Sequence, residues 1–154
     1  MANFSVRGFT AATTANADHC IAELWNPDSL KRITLFEGGL FKANAGTAGD
    51  SIYICRTTAK GTAGSTLTPT ASNAWSGDDV PASLATVELS AFSVQPTRQA
   101  APFLWGWVAA AVSASGFIWP IPREIDIPPG TGIAICQRAA TIWPISEVYF
   151  AWAE

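Results

Sequence analysis

From Phe4 to Ala153 the chain is cut into short runs of β-branched and aromatic residues by clusters of Gly, Pro, Asn, Asp and Ser, the pattern of strands joined by turns. No long stretch repeats its apolar residues at the helical period, so an all-β chain is expected. Candidate strands run from Phe4 to Phe9, Cys20 to Trp25, Arg32 to Phe36, Ser51 to Thr57, Thr86 to Val94, Leu104 to Val112, Phe117 to Trp119, Glu124 to Ile127, Ile133 to Arg138 and Val148 to Ala153. About eight to ten short antiparallel strands result, the complement of a jelly-roll-like β-sandwich or small barrel. With 154 residues the chain is long enough to bury a core as one domain, residues 1–154, without help from metals or disulfides.

The alternation within single runs assigns faces. In Glu124, Ile125, Asp126 and Ile127 the isoleucines share one side and the carboxylates the other, so this strand has one wet face. Pro128, Pro129, Gly130 and Gly132 then turn the chain back into Ile133 to Arg138. At the end of the chain Val148, Phe150 and Trp152 share a face, and so apolar a strand is expected to be paired inside a sheet. Leu104 to Val112 is apolar at both parities, with Trp105, Trp107 and Ala109 on one side and Leu104, Val108, Ala110 and Val112 on the other. Both faces are expected to be covered, by the second sheet, a neighbouring subunit or a loop.

Residues 99–122 carry no charge, which by length alone suits a membrane span. Ser113, Ser115 and Gly116 interrupt this stretch and Pro102, Pro120 and Pro122 trim its ends, so two buried strands joined by a turn are the expected form rather than a membrane helix. Charged residues make up only 14% of the chain, against seven Trp and eight Phe. A monomer rarely leaves a large apolar patch exposed, so an oligomer or docked subunit is expected, with tryptophan as its anchor. Candidate interface residues are Trp105, Trp107 and Trp119. Trp75, Asp78 and Asp79 are the others, in a polar stretch from Thr58 to Ser83 that is expected to be an extended loop or arm. Trp75 either tucks over its own domain or anchors in a neighbour.

The net charge of −3 and the scattered basic residues supply no groove for a phosphate backbone, so nucleic acid is not an expected partner. The first residues lack the apolar core of a secretory signal, and the chain is expected to fold where it is made. Cys20, Cys55 and Cys136 lack CxxC spacing and read as reduced, buried small hydrophobes. His19 is the single histidine; its neighbours Asp18 and Cys20 face away from it on a strand, and no GxSxG motif accompanies it. Glu124 and Asp126 read as the solvent side of a strand rather than a glycosidase pair. Asp78 and Asp79 read as a solvated turn rather than a cation site, and GTAGS lacks the lysine of a phosphate loop. No catalytic residue, metal or cofactor is therefore expected.

The tract RTTAKGTAGSTLTP, followed by DDVPASLAT and then VQPT, resembles a pattern in small virion proteins of tailed bacteriophages, the head decoration or cement subunits with jelly-roll domains. IDIPPGTGIAI resembles their penultimate hairpin. The resemblance spans residues 50–98 and 124–137. It implies a non-enzymatic subunit on the capsid surface, assembled in the bacterial cytoplasm, that packs with copies of itself, commonly as a homotrimer, and with the major capsid protein. The tryptophan-rich region around Trp105, Trp107 and Trp119 departs from that pattern. Two alternatives stay open: a lectin-like carbohydrate-binding sandwich that stacks sugar on Trp75, flanked by Asn73 and Asp78, and a tail or baseplate subunit.

Overall fold

Each of the alternating runs forms a strand, and cross-strand pairing extends most of them beyond their apolar residues. The computed structural model describes residues 2–46, 49–68, 70–71, 82–100, 105–113 and 115–154. The strands are β1 (Asn3–Phe9), β2 (Cys20–Asn26), β3 (Ile33–Lys42), β4 (Asp50–Ala59), β5 (Ser65–Leu67), β6 (Thr70–Ala71), β7 (Thr86–Leu89), β8 (Thr97–Arg98), β9 (Trp105–Ala109), β10 (Gly116–Ile127), β11 (Thr131–Gln137) and β12 (Ser146–Ala153). Among the described residues there is no helix, and so none long and apolar enough to cross a membrane.

Two antiparallel sheets result, one ordered β10-β3-β12-β1-β6 and the other β5-β7-β2-β11-β4, with β8 and β9 both paired to β4. Setting aside the short strands β5 to β8, the order is β10-β3-β12-β1 in one sheet and β2-β11-β4-β9 in the other. Neighbours from opposite ends of the chain alternate in both sheets, which is the double Greek key of a jelly roll. The expected sandwich is what the chain forms, and β5 to β8 all belong to one insertion between β4 and β9.

The main core lies between the sheets. β12 runs through the middle of its sheet between β3 and β1, and its Val148, Phe150 and Trp152 are fully buried. Phe4 of β1 stacks on Trp152 with ring centroids 6.1 Å apart. Across from them, Ile52, Ile54, Ile133 and Ile135 complete the same cluster; each such side chain contributes roughly 1.5–3 kcal/mol by leaving water. On β4 the next residues along, Tyr53 and Cys55, therefore point to the opposite side. There Cys20, Tyr53, Cys55, Phe92, Ala134 and Cys136 make a second cluster, roofed by the insertion. A bridge between Thr62 and Val94 closes that roof. Gly61 is required beneath it, because a Cβ there would lie 2.7 Å from the Phe92 ring.

Several expectations change. Phe117 to Trp119 and Glu124 to Ile127 are one strand, β10, whose register on β3 slips between Pro120 and Ile125. The prolines are tolerated because β10 is the outermost strand of its sheet, where a missing donor costs no ladder bond. Strand β3 continues through Gly38 and Gly39 to Lys42, held by β10 on one side and β12 on the other. Strand β7 stops at Leu89, and Ala91 two residues on takes a left-handed φ of 75°. Residues 58–83, expected as one loop or arm, are in their described first part built into both sheets. β4 reaches Ala59, β5 pairs with β7 and β6 with β1. Polar Thr and Ser side chains suit such edge positions, where one side of the strand stays wet. Trp75, Asp78 and Asp79 lie outside the described residues.

Candidate interaction surface

β9 is the last strand on one side of its sheet and β10 the last on the same side of the other, so their side chains meet at the open flank of the sandwich. Ile52 pairs with Trp107 and Ile54 with Trp105. Directly opposed residues share a face, so Trp105, Trp107 and Ala109 turn toward the core. Trp107 meets Phe117 of β10 at a centroid distance of 4.8 Å, and Phe117 meets Trp119 at 3.8 Å. These tilted rings link the two sheets and close the core at this corner. Gly116 lets β10 enter so close to β3, because a Cβ there would lie 2.6 Å from the Leu40 carbonyl oxygen.

Of the tryptophans expected at an interface, Trp119 is buried and Trp107 half-buried, while Trp105 is 39% exposed. Among the described residues no internal loop covers the outward parity of β9: Val108 is 72% exposed. Nearby on the same flank Val112 and Ile118 are 62% and 53% exposed. The reason is topological. The insertion that roofs the outer face passes over β2, β11 and the middle of β4, contacting Cys55 and Ala134, and Val108 falls beyond it. Between β4 and β9 this leaves an open groove of about 630 Å³, bounded by Tyr53, Trp105, Val108 and Arg138.

A polar frame stiffens the flank from behind. Tyr53 donates its hydroxyl proton to Asp18 Oδ1 at 2.8 Å and accepts from Arg98, which also lies 3.4 Å from that carboxylate. Burial pushes the Tyr53 phenol well above its ordinary range, so it stays protonated and remains a donor. Lys42, almost completely buried, donates to the Ala110 carbonyl at 2.6 Å and sits 4.4 Å over the Trp143 ring. It thereby ties the end of β3 to the chain leaving β9. Its pKa is lowered by burial, with Asp50 acting in the opposite direction. Asp50 in turn accepts from Thr141 Oγ1 at 2.5 Å and from the Ala139 amide at 3.1 Å.

No family model matches the chain, and no curated protein or solved structure is significantly similar to it.

Other titratable groups occupy separate places. His19 Nδ1 hydrogen-bonds Thr14 Oγ1 at 3.0 Å, whereas the Cys20 thiol donates to the Ala22 carbonyl at 3.3 Å, so the two do not form a dyad. Glu124 and Asp126 are exposed, and Asp126 accepts from Thr34 at 3.3 Å and faces Arg32 at 3.7 Å. The three thiols are buried together, with Cys55 and Cys136 sulfurs 3.9 Å apart. The Cys136 contact and then burial raise the Cys55 thiol, and burial raises that of Cys20. Both stay neutral and poorly nucleophilic.

Sequence reasoning missed one constellation. Glu23 of β2 and Glu88 of β7 stand directly opposite each other, both buried under the insertion. Glu23 accepts from Thr57 Oγ1 at 2.6 Å and from the Gly61 amide at 2.9 Å. Glu88 accepts from Thr66 Oγ1 at 2.6 Å and pairs with Lys60 at 2.7 Å. Burial holds the Glu23 carboxyl above its ordinary value, and the Thr57 and Gly61 bonds oppose the shift. These bonds bind the insertion to the sheet. The signal was present in the parallel runs IAELW and TVELS, where a lone carboxylate is flanked by apolar residues on both sides.

Proposed function

We propose that this chain is a non-enzymatic structural subunit of a tailed-phage virion, a capsid decoration or cement protein that works by packing against copies of itself and the major capsid protein. The observation that carries this reading is the flank of β9 and β10. Trp105, Val108, Val112 and Ile118 are exposed there on a chain with few charges, and behind them Trp107, Phe117, Trp119 and Lys42 form a rigid support. Surfaces of this kind are used for association, because leaving them wet costs free energy in every unassembled copy. The jelly-roll topology and the resemblance of residues 50–98 and 124–137 to head decoration proteins are what support a phage head as the assembly. The test is cosedimentation of the purified chain with expanded and mature capsids, together with its location in a virion reconstruction. Saturable binding at symmetric capsid positions is the expected result. Failure to bind either capsid form, with the chain located in the tail or in no virion, overturns the reading.

A further inference from the structure

Edge strands expose unpaired backbone donors and acceptors, and soluble β-proteins guard them with prolines, charges or shortness. In the first sheet, the edge strand β10 contains Pro120, Pro122, Arg123 and Glu124 and has an irregular register. The opposite edge strand, β6, has two residues among those described. In the second sheet β5 has three residues, and β8 has two and follows Pro96. Strand β9 departs from this pattern. Its five residues, Trp105, Gly106, Trp107, Val108 and Ala109, include neither proline nor charge. Among the described residues its one partner strand is β4.

Gly106 adds a second observation. It sits in the middle of a strand, where glycine weakens pairing, yet an added Cβ would meet nothing nearer than the Ile52 carbonyl oxygen at 3.7 Å. Neither a left-handed φ nor crowding within the chain calls for it. A glycine here leaves the outer face of the sheet open at that position, which gives room for a larger side chain from a strand paired alongside.

We infer that β9 pairs antiparallel with β9 of a second copy about a two-fold axis at Trp107, joining the β4-containing sheets of two chains into one. The sequence is self-complementary in that register. Trp105 stands opposite the partner's Ala109 on the inner face and Gly106 opposite the partner's Val108 on the outer face, so a large residue meets a small one on either side of the axis, where the two Trp107 rings meet. No like charges oppose each other, as an isologous contact requires of any patch that meets itself. Val108, 72% exposed in the single chain, gains a neighbour above the space that Gly106 leaves. On the inner face the Trp119, Phe117 and Trp107 rings of each copy become one aromatic layer across the axis. This deepens the proposed role, on which it rests for the claim that this flank is an assembly surface.

The experiment uses the full chain, with mass measured by sedimentation equilibrium and folding checked by circular dichroism and thermal melting. The wild-type chain is expected to be a dimer. Gly106→Glu combined with Val108→Glu sets two carboxylates against each other twice across the axis, and is expected to give a folded monomer. Gly106→Lys combined with Val108→Glu sets opposite charges in the same places, and is expected to remain a dimer that now weakens with added salt. A wild-type monomer or trimer overturns the two-fold contact, as does a dimer that survives the doubled glutamates or is lost with the Lys/Glu pair while the fold persists. Capsid cosedimentation of the same proteins separates the two ideas. A chain that binds capsids without dimerising removes this contact and leaves the structural role standing.

Discussion

At Glu23 two requirements of the fold conflict: the insertion needs acceptors beneath it, and the site is buried against a second carboxylate, Glu88. Because the folded state raises the Glu23 pKa above its ordinary value of 4.5, it holds this proton more tightly than the unfolded chain does. The stabilisation from that proton is complete below the ordinary glutamate range and is lost as pH rises through the raised value. Glu23→Gln keeps a neutral group in place at every pH. Its carbonyl can accept from the Gly61 amide while its amide donates to Thr57 Oγ1, whose hydroxyl serves either role. The variant is therefore expected to match the wild type in mild acid and to exceed it at neutral pH by roughly 0.5–1 kcal/mol, the scale of a relieved like-charge pair across two strands. Urea unfolding across that pH range measures the difference. A variant less stable than wild type at neutral pH would mean that the carboxylate is held by its donors more strongly than burial and Glu88 oppose it.

Among the strands, edge position decides what the prolines do. Replacing Pro120 and Pro122 by Thr restores two donors to the outermost strand of a sheet and removes its guard. The double variant is expected to keep its fold and to form larger species over time, followed by light scattering. A variant that stays the size of wild type would show that the register slip between Pro120 and Ile125 guards this edge without the prolines. The same logic explains what sequence could reveal. Runs such as IYIC and VYFAWA announce themselves because apolar residues there are buried on two faces or alternate cleanly, and β4 and β12 were legible to within a residue or two. Strands β5, β6 and β8 have no such signature. Thr, Ser and Ala fit loops equally well, and only the partners they meet make them strands. β10 was divided at its prolines because sequence does not reveal which strands end a sheet. The aromatic flank was legible in Trp105, Trp107 and Trp119, but Val108 needed the path of the insertion to be recognised as uncovered. Glu23 and Glu88 are far apart in sequence, and only pairing of β2 with β7 brings them together.

For the molecule as a whole, the balance between charged and apolar surface predicts how assembly responds to solution conditions. An association driven by complementary charges weakens as salt rises, because exposed charges are screened beyond a distance of about 8 Å at physiological ionic strength. Burial of uncharged surface is unaffected or strengthened, since salts such as sulfate raise the cost of keeping apolar groups wet. The flank formed by β9 and β10 presents Trp105, Val108, Val112 and Ile118. The basic Arg7 and Lys60 are already committed to carboxylates within their own chain. Self-association of the wild-type chain is accordingly expected to persist when sodium chloride is raised and to tighten in sulfate, as read by sedimentation velocity. Arg138 borders the same groove, and it supplies the competing outcome. Dissociation in sodium chloride would place the contact on that charge and move the association surface from the strand edge to the rim of the groove.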